Sequence, residues 1–171
     1  MNYPSNFVPS ASELFKLDDG RVVEVPKATP KFSVWTGPSP GDTFGGKAIL
    51  DFNGRPAFAE LVILWSFMEA GWDGVWMDSF GKRHLRGFWP SPLPGEIPAE
   101  QRNLLERIED HAPGKAKPWD VLCWSPEGVL FAEAKRHGRD SIRPGQTAFL
   151  GAGLTSGLPL SSFLLVEWDL A

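Results

Sequence analysis

Residues 119–135 read Trp-Asp-Val-Leu-Cys-Trp-Ser-Pro-Glu-Gly-Val-Leu-Phe-Ala-Glu-Ala-Lys. Two apolar runs flank Ser125-Pro126-Glu127-Gly128, and Pro followed by Gly in that order suits a type I turn. The stretch therefore predicts a hairpin with strands over 119–124 and 129–135. Side chains alternate faces along a strand, so Glu133 and Lys135 share one. If Trp124 pairs with Val129, the same register sets Asp120 opposite Glu133, with Cβ atoms about 5 Å apart. A shorter loop with a bulge at Gly128 would instead put the two carboxylates on opposite faces. Facing carboxylates repel unless a proton or a cation intervenes. Hard oxygens with no His or Cys beside them favour Mg²⁺ or Mn²⁺ over zinc. Such an ion polarises a phosphate and acidifies a bound water. Lys135 would orient that water or stabilise charge building on the phosphate.

The hairpin sits inside an alternating pattern. Pro56 at a first helical position and Gly71 as a stop predict a helix over 57–70, apolar almost all round and hence buried. Glu60 lies within it and must reach solvent, a partner or a cation. A strand over 74–80 follows, then Lys82, Arg83, His84 and Arg86. Residues 90–98 hold four prolines and read as a loop. A polar amphipathic helix is predicted over 99–111, ended by Pro113 and Gly114. After the hairpin, Pro144 opens a last helix to about residue 156, and 162–168 form a final strand. Apart from the 99–111 helix, the order from residue 56 on is helix, strand, strand, strand, helix, strand. Before it, residues 1–55 form a Pro- and Gly-rich, β-rich extension of the same domain. It has strands at 13–17 and 21–25 joined by Asp18-Asp19-Gly20, and a third over 47–52. This arm carries no visible chemistry and reads as a sheet extension, a dimerisation arm or a substrate clamp. Gly45-Gly46-Lys47 lacks the rest of a phosphate-binding loop and reads as a turn.

The totals fit one domain with a proper core: 171 residues, 42% hydrophobic and 22% charged. A net charge of -4 argues against a uniformly basic surface but permits a local basic groove. Eight Trp and twelve Phe supply core, with some free to act as platforms for bases. The single cysteine, Cys123, excludes an internal disulfide and a cysteine zinc site, and strand alternation makes it a buried structural thiol. His84, His111 and His137 lack metal-ligand spacing. No basic-plus-apolar leader and no bilayer-length apolar run is visible, which predicts a cytoplasmic protein without membrane contact.

Asp120, then Phe131-Ala132-Glu133-Ala134-Lys135, then Asp140-Ser141-Ile142-Arg143-Pro144-Gly145-Gln146, resembles the PD-(D/E)xK nuclease superfamily, in its VRR-NUC-like branch. The resemblance covers about residues 56–168 and is sharp over 118–150. It implies an α/β (α+β) restriction-endonuclease-like core, 56–171, with a mixed central sheet flanked by helices. It implies metal ligation by Asp120, Glu133, the Ala134 carbonyl and Glu60, the last matching the superfamily's first-helix Glu. Lys135 would be catalytic and Gln146 would support the site. The chain departs from the pattern at Pro118-Trp119-Asp120, where one residue is inserted, and at Ala134, where Val is usual. The resemblance also implies DNA as partner, a 5′ phosphate on the product, and a homodimer, since two strands must be cut.

Basic residues cluster where a phosphate backbone would lie: Lys115 and Lys117 before Asp120, Arg136, His137, Arg139 and Arg143 after Lys135, and Arg83 and Arg86 after the first core strand. Arg143 and the open amides at the last helix's N-terminus suit a phosphate. The sequence therefore predicts a Mg²⁺-dependent endonuclease acting on DNA, structure-specific for branches or junctions. Its rivals are a nuclease-like fold that binds nucleic acid without cutting it, and a β-rich structural protein whose aromatics are all core.

Overall fold

The computed structural model describes all 171 residues. In chain order the strands and helices are β1 (Ala11–Lys16), β2 (Val22–Ala28), β3 (Lys31–Phe32), β4 (Leu50–Phe52), β5 (Arg55–Ala57), α1 (Ala59–Glu69), β6 (Asp73–Asp78), β7 (Arg83–Gly87), β8 (Leu93–Pro94), α2 (Ala99–His111), β9 (Val121–Ser125), β10 (Gly128–Arg136), α3 (Pro144–Thr155) and β11 (Phe163–Leu170). One mixed sheet carries the order β1-β2-β11-β10-β9-β6-β7-β8, with β3 also on β11, and β4 and β5 form a separate hairpin. β10 runs parallel to β11, and β11 parallel to β2; the remaining neighbours along the order are antiparallel. The chain is thus mixed α/β, with three α-helices around a mixed central sheet.

The sheet separates two apolar layers. Alternation along β9 sends Val121 and Cys123 toward α1, where they meet Leu61, Leu64, Phe67 and Trp76. Leu122 goes to the other side with Phe131, Phe149, Phe163 and Trp119, under α2 and α3. Apolar α1, buried from Ala59 to Leu64, packs against β6, β9 and β10. α2 is largely polar; Leu104 and Ile108 are buried inward with Leu105 packed beside them, and the helix lies against α3. Gly71, at φ 90°, ends α1 in the left-handed region that a side chain would strain.

The N-terminal arm is a sheet extension. β1 and β2 pair as the hairpin that Asp18-Asp19-Gly20 predicts, and β2 then docks parallel on β11. Several expectations change. Pro56 is not the first helical residue: Asn53 and Gly54, at φ 51° and 79°, turn β4 back on β5, and Pro56 lies inside β5. α1 consequently starts at Ala59, with Phe58 as its extended N-cap. Only Leu50–Phe52 of the strand expected over 47–52 is extended. The basic run after β6 is itself a strand, β7, paired with β6, and Leu93–Pro94 within the expected 90–98 loop form β8 against β7. No helix is long and apolar enough to cross a membrane.

Candidate functional site

β9 and β10 pair in the register that joins Trp124 to Val129 and Val121 to Ala132. The loop between paired Ser125 and Gly128 is Pro126-Glu127, with no bulge. Asp120, the residue before β9, therefore reaches the level of Glu133. The two are tied by reciprocal bonds: the Asp120 N–H donates to Glu133 Oε2 at 3.3 Å, and the Ala134 N–H donates to Asp120 Oδ2 at 3.0 Å. An extended residue's N–H and C=O point to the same edge, so the Ala134 carbonyl is turned to the Asp120 side.

Two helices begin at this end of the sheet. α1 brings Glu60 in its first turn, and α3 brings Gln146. Gln146 uses its whole amide: Oε1 accepts the Arg143 N–H at 2.9 Å, and Nε2 donates to Glu133 Oε1. Lys135 Nζ stands 2.8 Å from the same Oε1, with its side chain 12% exposed. Trp119, inserted between Pro118 and Asp120, turns away into the opposite core against Phe163 and Phe15. Its Nε1–H donates to the Gln146 carbonyl at 3.0 Å, which pins the first turn of α3. Gly145 lets the segment before Asp120 lie against the start of α3, since a Cβ there would lie 2.5 Å from Lys117 Cγ and the Lys117 N–H donates to the Gly145 carbonyl at 2.9 Å. The inserted Trp thus anchors the helix that carries Gln146 and leaves Asp120 facing the cleft.

The electrostatics follow from enclosure. Burial, then the charges of Glu133 and Glu60, hold the Asp120 carboxyl well above the usual carboxylate range. Burial also raises Glu133, against the opposing pull of Lys135. Cys123 is wholly buried and its thiol is pushed up by desolvation, as suits an inert core residue.

These groups line a cleft of about 840 Å³. Glu60, Asp120, Glu133, Ala134, Lys135 and Gln146 all reach it, as do Lys117, Arg136, Arg139 and Arg143. Lys115 joins them. None of these five rim cations makes an ion pair. Arg136 lies over the Trp168 ring at 5.4 Å. Arg83 and Arg86 lie outside the cleft. On β7, Arg83 binds Asp78 through two nitrogens, at 3.0 and 2.8 Å, and Arg86 pairs with Asp73. Their positive charge is spent on neighbouring β6 carboxylates.

Lys47 is the cleft residue that the sequence did not mark. It arrives from the N-terminal arm and pairs with Glu60. Its Nζ lies 5.3 to 5.7 Å from the ring centroids of Phe44, Phe58 and Trp76. No local motif flags it, because Glu60, Phe58 and Trp76 come from α1, its N-cap and β6, well downstream in sequence.

The structure gathers no group of three or more His, Cys, Asp or Glu side chains in metal-binding geometry. Glu60 is occupied by Lys47, which leaves the facing pair Asp120 and Glu133. Two enclosed carboxylates that repel each other, with only oxygen donors at hand, suit a hard divalent cation in chemistry. The unpaired cations around them suit a polyanion. Compared with known proteins, the chain matches no family model, no curated protein and no solved structure.

Proposed function

We propose that this protein is a divalent-cation-dependent nuclease that hydrolyses DNA phosphodiester bonds, with a restriction-endonuclease-like core. The facing of Asp120 and Glu133 beside Lys135 carries this reading. Such an arrangement costs folding free energy when empty and becomes favourable around a cation. Asp120, Glu133 and the Ala134 carbonyl would hold Mg²⁺ or Mn²⁺, and Glu60 would join them once released from Lys47. When bound, the ion supplies Lewis acidity toward the scissile phosphate and the attacking water.

The chain's own residues have separable tasks. Lys117, Arg139 and Arg143 draw the phosphate backbone to the rim. Arg136 does the same nearer the sheet, held in place by Trp168. Lys135 stabilises negative charge on the phosphate or orients the attacking water, and Glu133 keeps its ammonium in position. Gln146 fixes the Glu133 carboxylate, and Trp119 fixes Gln146.

The same geometry supports a second reading, a nuclease-like module that binds nucleic acid without cutting it. The Lys47–Glu60 pair favours that reading, because it neutralises one expected ligand. One experiment separates them. Branched, linear and single-stranded DNA are incubated with Mg²⁺, Mn²⁺ or EDTA, beside a Lys135→Ala control. Cleavage that needs the cation and is lost in the variant supports the nuclease. Binding without cleavage under every condition supports the module, and cleavage that persists in EDTA removes the proposed mechanism.

A further inference from the structure

Phe80 is 90% exposed at the turn between β6 and β7, the most exposed large apolar side chain in the protein. Single exposed apolar residues are common and need no explanation by themselves. This one has a particular setting. The preceding residue, Ser79, lines the cleft that holds Asp120 and Glu133. The Phe80 ring stands edge-on to Phe44, with centroids 5.9 Å apart at 85°. Phe44 is itself braced by Trp76 and Phe88, at 5.4 and 5.5 Å. The ring thus meets one braced aromatic neighbour edge-on and is otherwise open to solvent.

Beside it lies an apolar hollow of about 630 Å³, with Phe44, Phe80 and Phe88 in its walls. Lys47 lines both this hollow and the cleft, so one side chain adjoins both spaces. Exposed Lys82 follows two residues after Phe80, and Arg83 closes the hollow on that side. The one acid in the wall, Asp42, accepts the Phe44 N–H at 2.7 Å.

We propose that Phe80 is a stacking platform for an unpaired nucleobase of the DNA strand whose phosphates enter the cleft. This rests on the nuclease reading above. An exposed planar aromatic with the unpaired Lys82 close by fits a nucleobase better than an aliphatic protein surface, because every base has a π face and its phosphates are anionic. In intact duplex the bases are stacked internally, so only an unpaired base gains from the ring.

The test uses the full chain in EDTA with a three-way junction carrying 2-aminopurine at an unpaired branch-point position, and a linear duplex of equal length. With wild type, binding changes the 2-aminopurine fluorescence. Phe80→Ala abolishes that change and weakens junction binding by roughly 5- to 150-fold, the range for one base–aromatic stack, while duplex binding shifts less than about 2-fold. Phe80→Trp restores both signals, and an unchanged melting temperature shows that the exposed position carries no fold. Equal fluorescence and equal junction affinity in wild type and Phe80→Ala overturn the proposal, even if cleavage is normal and even if Phe80 then proves to dock a protein. A wild type that binds none of these DNAs also overturns it. Stacking without cleavage in Mg²⁺ or Mn²⁺ upholds Phe80 and removes the nuclease reading alone.

Discussion

Asp120 and Glu133 are locked through the backbone at each other's positions. Asp120 gives its N–H to the Glu133 carboxylate, and the residue after Glu133 gives its N–H to the Asp120 carboxylate. The bonds hold two like charges in a fixed facing geometry, which suits a cation site better than it suits folding.

Asp120→Asn removes one charge and keeps the shape. Cleavage should fall by at least about 100-fold, the scale of losing one electrostatic interaction with the transition state. The cation-free protein should become more stable at neutral pH, because a carboxyl held above its usual range by burial and by Glu133 opposes folding when ionised. Denaturant unfolding in EDTA and a cleavage assay measure the two effects, and a variant that is both active and less stable would contradict the assignment.

The pH dependence has a definite sign. Asp120 and Glu133 both have folded-state carboxyls raised above the ordinary value. In the window between the unfolded and folded values the native state binds more protons than the unfolded chain, so stability falls as pH rises through it. Their contribution is fully present only below the ordinary carboxylate value. Relative to Asp120→Asn, cation-free wild type should therefore lose stability from mildly acidic to neutral pH. Saturating Mg²⁺ or Mn²⁺ should flatten that difference and raise the melting temperature, as any ligand of the native state does. A cation-independent curve would argue against the site.

Lys47→Met leaves Glu60 enclosed without its partner and empties an aromatic cage. The side chains are 34% and 9% exposed, so the cost should be about 2 kcal/mol, below that of a fully buried pair. Glu60→Gln in the same chain should recover part of the loss, and the double-mutant cycle gives the coupling.

Trp119→Phe keeps the ring against Phe163 and deletes the hydrogen bond to the Gln146 carbonyl. Stability should drop by about 1 kcal/mol. The fall in cleavage should be in kcat rather than KM, since Gln146 steadies Glu133 and does not face the rim.

Lys117→Ala, Arg139→Ala and Arg143→Ala test the rim. Each should reduce the steepness of log affinity against log salt by about 0.9 for every duplex phosphate it no longer neutralises, with little change in sequence preference. Arg83→Ala should leave that slope unchanged and instead destabilise the protein, because buried Asp78 loses its partner.

The β9–β10 hairpin is legible in the residues because the turn and the alternation are local; of the two registers they leave open, the structure has the one that pairs Trp124 with Val129. α2 runs from Ala99 to His111 as its pattern predicts, because its polar face and its Pro-Gly stop are local too. Pro56 suits a first helical position, but Asn53-Gly54 just before it imposes a hairpin turn, and the turn pair has the stronger backbone requirement. Arg83 and Arg86 resembled rim charges because sequence does not show a strand partner. β7 pairing places Arg83 by Asp78 and Arg86 by Asp73, and those carboxylates claim them.

The hairpin itself, and the alternation that lets Asp120 and Glu133 face each other, are thus encoded locally, since alternation and turn chemistry act over a few residues. The pairing of Lys47 with Glu60, the anchoring of Gln146 by inserted Trp119, and the choice of which basic residues stay free at the rim arise only on folding. Each depends on segments distant in the chain meeting at one end of the sheet, where burial and opposite charge select partners that no local pattern encodes.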